Sequence, residues 1–513
     1  MPETKTTRHR EALPARVLVA GLFILVQVGL LVALVYAISL QAVWVYIPLW
    51  LASVIAVVVI INRKGNPSFK MAWIVFILLA PFCGGLIFLL WGSGKTTPAM
   101  RKRWRVLSAR AAKTLPQDPQ TVEKLKYADL FHSIQSDYLY RESSFPVYDN
   151  THTTFYPSGE EFFLSVISEM ESAERFIFLE FFILAEGQLW DRMLNVLKRK
   201  VKEGVEVRIL YDDFGSIKRQ RDNFPEWLEK MGIKVSIFNP IRPSVDLFLN
   251  NRNHRKIVVI DGKVSFTGGL NIGDEYINLE HPYGHWCDSG VRICGKATRS
   301  FTAMFCTMWN SINPEDTIRL EEYYTDYALP CAGFVQPYSD APLGSTNPAE
   351  GLYMKILSSA RQYVYITSPY LILDNTMITQ LSLAAKSGVD VRIITPKKWD
   401  KWYVHPVTQY YYDELLEAGV RIYEYTPGFI HAKMFVSDDA VATVGTINVD
   451  YRSFYFHFEC GAWICGNDTV LEIRDHVKGL FRECEEIRPE KWKRRPAIMK
   501  FRQSVLHLFA PFM

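Results

Sequence analysis

The sequence has little excess of either charge sign and none of the common spacings of metal-binding cysteines and histidines. Its 58 Lys and Arg residues oppose 54 Asp and Glu residues, so the net charge of +4 does not indicate a polyanionic partner. The eight cysteines form no C-x-x-C pair and no H-E-x-x-H occurs, so zinc is not predicted and the thiols are expected to be reduced. A 49% hydrophobic content over 513 residues excludes a disordered chain and a small disulfide scaffold.

Apolar residues are concentrated near the N-terminus, although the mean hydropathy of the chain is +0.00. Residues 17–39, 43–61 and 71–91 contain no charged side chain. Each segment is long enough for a helix that crosses a bilayer, which takes about 20 residues. A cleaved signal peptide would be shorter and would not be followed at once by a second apolar run. A buried hairpin of a soluble protein is the disfavoured alternative.

The third apolar segment differs from the other two, because it carries Pro81 and the pair Gly84-Gly85 near its middle. Basic residues cluster in 1–16, 62–70 and 95–113 and are absent from the 40–42 turn. Two spans and a broken or re-entrant third segment would place all of them on the cytoplasmic side. We therefore expect a multi-pass protein of the cell (inner or plasma) membrane whose soluble part is cytoplasmic.

The sequence of the soluble part contains an internal repeat. Lys202–Ile209 resembles Lys386–Ile393, and two further blocks repeat at nearly the same offset. Strands alternate with helices in both copies, which favours an α/β fold with mainly parallel sheets. Two halves of one fold are expected to pack about a pseudo-twofold axis, with a ligand site between them.

This reading divides the chain into seven parts. They are a basic tail (1–16), a membrane domain (17–91), a basic juxtamembrane linker (92–144), half one (145–314), a connection (315–348), half two (349–487) and a basic and apolar C-terminal tail (488–513).

The most informative residues follow the pattern H-x-K-x4-D-x6-G-[GST]-x-N, which occurs once in each half. Its polar members are His254, Lys256, Asp261 and Asn271 in half one, and His431, Lys433, Asp438 and Asn448 in half two. One H-x-K is weak evidence, but two complete copies at matching points of a repeat are strong evidence. Core histidines beside snorkelling lysines are the disfavoured alternative.

These residue types suit a phosphodiester. Lysines and amides can neutralise the non-bridging oxygens, and this stabilisation grows as phosphorus becomes five-coordinate. One neutral histidine can attack phosphorus while the other, protonated, donates to the leaving oxygen. The pattern requires neither a metal nor a cofactor, and it does not rank the two histidines.

The sequence resembles the phospholipase D superfamily, whose signature is this duplicated motif. Gly268–Tyr276 and Gly445–Ser453 are similar to the two motifs of bacterial cardiolipin synthases, and Asn66–Trp73 resembles their N-terminal membrane segment. The resemblance implies the fold expected above, with two phospholipase D-like domains. One departure is His457, which stands where the family usually has Asn.

The resemblance also implies a role for each motif residue. His254 would be the nucleophile and His431 the general acid and then base. The remaining candidates are the phosphate-binding Lys256, Lys433, Asn271 and Asn448, the histidine-orienting Asp288 and Glu459, and the catalytic-motif aspartates Asp261 and Asp438. For these two aspartates, support of strand and turn is favoured over contact with substrate.

The membrane segments favour a lipid substrate over a nucleic acid. The implied reaction joins two phosphatidylglycerols into cardiolipin and glycerol. A phospholipase D, another phosphatidyltransferase (using phosphatidylethanolamine, for example), a membrane-anchored phosphodiesterase or nuclease, and a lipid-binding scaffold are the alternatives. Phosphatidylglycerol and other membrane phospholipids are the expected partners, and the sequence leaves the oligomeric state open.

Overall fold

The fold was analysed in a computed structural model, which describes residues 22, 25–30, 32–33, 36–37, 43–63, 65–80, 84–91, 98–241, 251–344 and 346–513. Most of the predicted span 17–39 and the whole of the 1–16 tail lie outside these residues. Within the described ranges, no helix is both long enough and apolar enough to cross a membrane.

The elements are numbered here in chain order. The helices are α1 (Val43–Asn62), α2 (Pro67–Leu79), α3 (Gly84–Trp91), α4 (Pro98–Lys113), α5 (Pro119–Ala128), α6 (Leu130–Ser143), α7 (Gly159–Glu171), α8 (Gln188–Lys202), α9 (Asp213–Ser216), α10 (Phe224–Glu229), α11 (Thr298–Ile312), α12 (Pro348–Ser359), α13 (Asn375–Lys386), α14 (His405–Tyr410), α15 (Tyr412–Glu417), α16 (Tyr451–Tyr455), α17 (Asp468–Leu480), α18 (Pro489–Lys493) and α19 (Ala497–His507). The strands are β1 (Thr151–Tyr156), β2 (Phe176–Phe181), β3 (Glu206–Asp212), β4 (Lys234–Phe238), β5 (Arg252–Asn253), β6 (Ile257–Ile260), β7 (Val264–Gly268), β8 (His285–Cys287), β9 (Gly290–Gly295), β10 (Phe334–Asp340), β11 (Tyr363–Thr367), β12 (Leu371–Ile372), β13 (Asp390–Pro396), β14 (Arg421–Tyr425), β15 (Gly428–Ile430), β16 (Met434–Ser437), β17 (Val441–Gly445), β18 (Val449–Asp450), β19 (His457–Cys465) and β20 (Cys484–Glu486).

Each half is built on one large sheet, and the two sheets have the same strand order. The first runs β1-β9-β7-β6-β2-β3-β4, and the second runs β10-β19-β17-β16-β11-β13-β14 with β20 added at its edge. Helices α7 and α8 in half one correspond to α12 and α13 in half two. The duplication read from the sequence is therefore a duplication of structure.

The expectation of mainly parallel sheets is wrong, because both sheets are mixed. In the first sheet only the pairings of β2 with β3 and of β3 with β4 are parallel, and the other four are antiparallel. The reason is that each motif forms a hairpin, β6-β7 or β16-β17, instead of a strand-helix-strand crossover.

A tight turn closes each motif hairpin. Asp261 and Gly262 both have positive φ (53° and 67°), as do Asp438 and Asp439 (53° and 58°). Positive φ at both turn positions matches the right-handed twist of the flanking strands, and aspartate and glycine tolerate it. The motif aspartate is thus also the turn residue of its hairpin.

Three apolar cores support this arrangement. One lies within each half, and the third joins the facing sides of both sheets through α11, which is buried along most of its length. Because the central core takes side chains from both halves, the halves form one packed body around the motifs.

Strand β10 (Phe334–Asp340) lies inside the segment that the sequence assigned to the connection 315–348. It pairs along its whole length with β19 and forms one edge of the second sheet. Its mixed polar and apolar sequence carries no repeat signal to identify it as a strand.

The third apolar segment contains two helices, α2 and α3, in which α2 ends before Ala80. The start of α2 contacts half two: the Asn66 amide donates to Asp374 and to the Tyr455 hydroxyl, both at 2.9 Å. Phe69 packs edge-on against Tyr451 and Tyr455. The start of α2 is therefore attached to half two.

Candidate active site

Each motif histidine is held by the opposite half of the molecule. His254 immediately follows β5, which pairs with β19 of half two, and its backbone N–H donates to the Phe458 carbonyl at 2.9 Å. His431 follows β15, which pairs with β8 of half one, and its N–H donates to the Cys287 carbonyl at 2.7 Å. This reciprocal exchange is the pattern that a twofold relation between the halves produces, and it brings both motifs to one place.

A carboxylate of the opposite half meets each imidazole. Nδ1 of His254 lies 2.9 and 3.0 Å from the two carboxylate oxygens of Glu459. Nδ1 of His431 lies 2.7 Å from Oδ2 of Asp288. A carboxylate at Nδ1 fixes the tautomer that leaves Nε2 available for chemistry.

The two lysines are buried beside the histidines. Nζ of Lys256 donates to the His254 carbonyl at 2.7 Å, and Nζ of Lys433 donates likewise to the His431 carbonyl. Both lysines are at most 3% exposed. Each ammonium retains further N–H groups that can meet an anion.

Burial and mutual repulsion lower the pKa values of this group of cations. Burial lowers the pKa of Lys256 to about 8 and that of Lys433 to about 7. Burial, reinforced by Lys433, lowers the pKa of His431 to about 4. Burial and then Lys256 hold the pKa of His254 well below its usual value, with smaller contributions from Lys433 and His431. The four groups therefore share one electrostatic environment that favours an anion.

The pKa values of the two carboxyl groups are shifted in opposite directions. Burial alone would raise the pKa of Asp288, but His431 and Lys433 together hold it below its usual value. Burial raises the pKa of Glu459 well above its usual value, and Lys256 opposes this only in part. Asp288 consequently presents more negative charge to His431 than Glu459 presents to His254.

The two asparagines are in place but differ in their bonds. Asn271 accepts from the Ile183 N–H at 3.0 Å and donates to the Tyr276 hydroxyl at 2.7 Å. Asn448 is buried, and its side-chain oxygen has no hydrogen-bond partner in the described part of the chain. Asn271 thus braces the site, whereas the Asn448 amide has bonding capacity left.

Asp261 and Asp438 do not join this group. Asp261 accepts from the backbone N–H groups of Glu174, Arg175 and Phe176 at 2.8 to 2.9 Å. Asp438 makes the same three bonds before β11, at 2.7 to 2.9 Å. Each lies at the far end of its motif strand from the histidine, roughly 20 Å away for seven extended residues. Every one of these bonds supports a turn or a strand start, and none of them reaches the histidines.

Thr446 and Gly269 lie at the variable position of the motif, to which the sequence analysis assigned no role. The Thr446 hydroxyl bonds to Oε2 of Glu459, and the matching position in half one is Gly269. A Cβ at Gly269 would lie 2.1 Å from Oδ1 of Asp288, so no side chain fits there. The carboxyl group beside the variable position of the motif, G-[GST], therefore determines which residue fits there: glycine beside Asp288 and a hydroxyl residue beside Glu459.

His457 also lies in the site. Its Nδ1 is 3.4 Å from Oε1 of Glu459, and its ring centre is 5.4 Å from that of His254. Nitrogen and oxygen atoms of His254, His457 and Glu459 all lie within 4.8 Å of one another, a donor set that fits a transition metal. Burial holds the pKa of His457 well below its usual value, so the ring is an uncharged donor.

The chain matches two family models. One, described as "Cardiolipin synthase, PLD-like domain", matches residues 166–309 and 353–481, and the other, described as "Phospholipase_D-nuclease N-terminal", matches residues 51–93. The fold and the paired motifs thus define a phospholipase D-like protein with two catalytic domains. The chain belongs to the cardiolipin synthase family.

Relatives agree with this assignment, and a solved structure shares the fold. A Geobacillus kaustophilus cardiolipin synthase is 34% identical over 88% of this chain and 90% of its own length. Cardiolipin synthase 2 of Staphylococcus epidermidis is 31% identical over 90% of this chain and 96% of its own. The Haemophilus influenzae phosphatidylserine synthase structure shares the fold, with a TM-score of 0.54 and 14% identity over 70% of this chain and 95% of that chain.

Proposed function

We propose that this chain is a cardiolipin synthase that transfers a phosphatidyl group from one phosphatidylglycerol to another. The observation that supports this most directly is the pair of crossed histidine–carboxylate contacts, His254 with Glu459 and His431 with Asp288, beside two buried lysines. This arrangement offers a nucleophile, an acid and a positive pocket for one phosphodiester.

In the first step, Nε2 of His254 attacks phosphorus of the donor lipid. The bond from phosphorus to the headgroup glycerol oxygen breaks, and protonated His431 gives its Nε2 proton to that oxygen, so glycerol leaves. Phosphatidyl-His254 and neutral His431 remain. Lys256 and Lys433 neutralise the charge that builds on the non-bridging oxygens.

In the second step, a glycerol hydroxyl of the acceptor phosphatidylglycerol attacks phosphorus. His431 accepts the hydroxyl proton, the bond from phosphorus to Nε2 of His254 breaks, and cardiolipin leaves. The enzyme returns to its starting protonation state. Water in place of the lipid alcohol would give phosphatidic acid instead.

The carboxylates support this division of roles. Asp288 has a lowered pKa and stabilises an imidazolium, so His431 is the better acid. Glu459 has a raised pKa and favours an uncharged ring, so His254 is the better nucleophile. The phosphodiester charge itself raises the pKa of both histidines when it binds and supplies what His431 needs to carry a proton.

The proposed setting is the cell membrane, with two spans at 17–39 and 43–61, a broken or re-entrant segment at 71–91, and the catalytic body in the cytoplasm. The C-terminal segment supports membrane contact. In α19, Ile498 is 74% and Phe501 67% exposed, with Lys500 and Arg502 between and beyond them. Exposed apolar and basic side chains together suit an anionic lipid surface.

Single cysteines placed near residues 42 and 120 test the topology in intact cells with a membrane-impermeant thiol reagent. The parent's own cysteines are first replaced, and lysed cells serve as the control. Labelling at 42 alone supports the proposal, and labelling at 120 from outside contradicts it.

The reaction is tested with purified protein and labelled phosphatidylglycerol, with and without phosphatidylethanolamine, followed by chromatography of the lipids. Equal amounts of cardiolipin and glycerol are expected from phosphatidylglycerol alone. Phosphatidic acid as the only product would favour a phospholipase D, and cleavage of a labelled oligonucleotide in place of lipid would favour a nuclease. His254→Ala and His431→Ala are each expected to abolish turnover.

A further inference from the structure

A second polar cavity lies behind the first motif. It has a volume of about 610 Å³, within the usual range of small-molecule sites. Its charged lining side chains are Arg101 and Arg105 of α4, Glu142 of α6, and Arg255. Arg255 is the residue between His254 and Lys256, so alternation along the extended chain turns its side chain to the opposite side from theirs.

Arg255 is a buried cation, and its residue is 2% exposed. No carboxylate of the described residues lies within ion-pair distance of its guanidinium. Its partners are neutral: it donates to the Ser339 hydroxyl and to the carbonyls of Met304 and Glu459, the last two at 3.4 Å, and it lies 5.8 and 5.7 Å from the ring centres of Trp104 and Phe458. A guanidinium taken out of water without a counter-charge is costly, so its place at a cavity wall is unusual for a purely structural residue.

Two buried carboxyl groups feel the charge of Arg255 but do not neutralise it fully. Burial raises the pKa of Glu180 to about 7 and that of Asp340 to about 7, and Arg255 opposes each rise only in part. With Arg101 and Arg105 on the facing helix, the lining carries three guanidinium groups against the single carboxylate of Glu142. The wall also offers the hydroxyls of Ser108, Ser339 and Thr307.

We propose that this cavity binds a phosphate-bearing anion, either a lipid headgroup or a free phosphate compound, as a site distinct from the one that performs the reaction. Guanidinium groups bind phosphate oxygens bidentately, and the hydroxyls complete the shell. The apolar part of the lining (Trp104, Phe145, Met304 and Leu343) accommodates the carbon skeleton that carries the phosphate.

The cavity is connected to the nucleophile by a chain of three hydrogen bonds. Arg255 bonds to Ser339, and Ser339 donates to the Glu459 carbonyl at 2.9 Å. Glu459 in turn holds Nδ1 of His254. An anion that draws on Arg255 therefore acts on the residue that orients the nucleophile, so occupancy and turnover are expected to be coupled.

The test compares Arg101→Gln/Arg105→Gln with Arg110→Gln, an exposed arginine of the same helix that does not line the cavity. The purified full-length proteins are assayed in detergent for binding of labelled orthophosphate and sn-glycerol 1-phosphate. Phosphatidylglycerol retained per protein is counted by native mass spectrometry, with phosphatidylcholine as the uncharged control. Arg255→Lys provides a second variant that keeps the charge but loses the bidentate geometry.

In the double variant, the apparent affinity of one class of sites is expected to be about tenfold weaker than in the parent. In Arg110→Gln, this affinity should be unchanged. Loss in the orthophosphate arm identifies a free phosphate compound, and loss in the lipid arm alone identifies a headgroup. The same stoichiometry in all variants, or an equal loss in Arg110→Gln, overturns the proposal. Binding is measured without turnover, so the two proposals are tested independently. A negative binding result would not affect the proposed synthase reaction, and a negative turnover result would not affect the proposed anion site.

Discussion

Glu459 of half two holds His254 of half one, with both carboxylate oxygens within 3.0 Å of Nδ1. Asp288 of half one holds His431 of half two through one oxygen, Oδ2, at 2.7 Å from Nδ1. Neither half alone can therefore orient its own histidine. The duplicated fold is catalytically one unit, and its chemistry depends on the contact between the halves.

Glu459→Gln and Asp288→Asn should separate the roles of the two histidines. Both changes keep the size of the side chain but favour the wrong tautomer or weaken the imidazolium, so each should lower turnover by about 10² to 10⁴. Acid-quenched enzyme exposed to labelled phosphatidylglycerol reports the covalent intermediate. Glu459→Gln should form it slowly.

Asp288→Asn affects the residue that protonates glycerol and later activates the acceptor. A donor lipid with a good leaving group, which needs no proton, should restore intermediate formation in Asp288→Asn but not in Glu459→Gln. Equal rescue of the two variants would contradict the assigned roles.

The lysine pKa values predict an alkaline fall in substrate capture. Lys433 has a pKa of about 7 and Lys256 of about 8, both lowered by burial, so each is charged below and neutral above its value. The kcat/KM should therefore decrease more steeply between pH 7 and 9 than loss of the His431 proton alone would cause, while kcat changes less because a bound anion keeps the lysines protonated.

Lys433→Arg is the matched variant, since arginine stays charged throughout this range. In any such variant that retains turnover, the decrease of kcat/KM near pH 7 should be less steep than in the parent. A kcat/KM that stays constant between pH 6 and 9 in the parent would show that the lysine charges do not control binding.

Asp261→Ala and Asp438→Ala should affect stability more than chemistry. Each removes an acceptor of three backbone N–H groups, which should lower the free energy of unfolding by about 2–4 kcal/mol. The melting temperature measures this loss. Turnover per folded molecule, counted by active-site labelling, should stay near that of the parent. A large loss of turnover in a variant that keeps its full stability would show that these residues take part in the chemistry.

The sequence predicted the parts of this structure that are coded locally. The motif spacing singled out both histidines and both lysines, because a repeated local pattern is visible in the sequence, but it did not predict the hairpins that follow them. The exchange of β5 and β15 between halves could not be predicted, since a two- or three-residue strand leaves almost no pattern. The mixed sheets were missed because alternating strands and helices look alike whether a hairpin or a crossover joins the next strand.

Gly269 and Thr446 occupy the same position in the two motifs, and the sequence alone did not reveal why the two residues differ. Gly269→Ala should inactivate the enzyme, because its new Cβ would meet Asp288 and move it away from His431. Thr446→Ser keeps the hydroxyl that bonds Glu459 and should retain most activity, whereas Thr446→Val should lose it. Turnover of the three variants, together with their melting temperatures, checks the argument, and a fully active Gly269→Ala would refute it.

Finally, the three donors His254, His457 and Glu459 predict inhibition by zinc. Their ligand atoms lie within 4.8 Å of one another, and two are uncharged imidazole nitrogens, which Zn²⁺ prefers. An ion bound to a ring nitrogen of His254 would fix the ring in an unreactive position. Low concentrations of Zn²⁺ should therefore inhibit turnover, and a chelator should restore it. Mg²⁺, which prefers oxygen ligands, should have little effect.

His457→Asn removes one donor, so this variant should keep most of the parent's turnover while becoming resistant to Zn²⁺. Equal sensitivity of the parent and His457→Asn would place the inhibitory ion elsewhere.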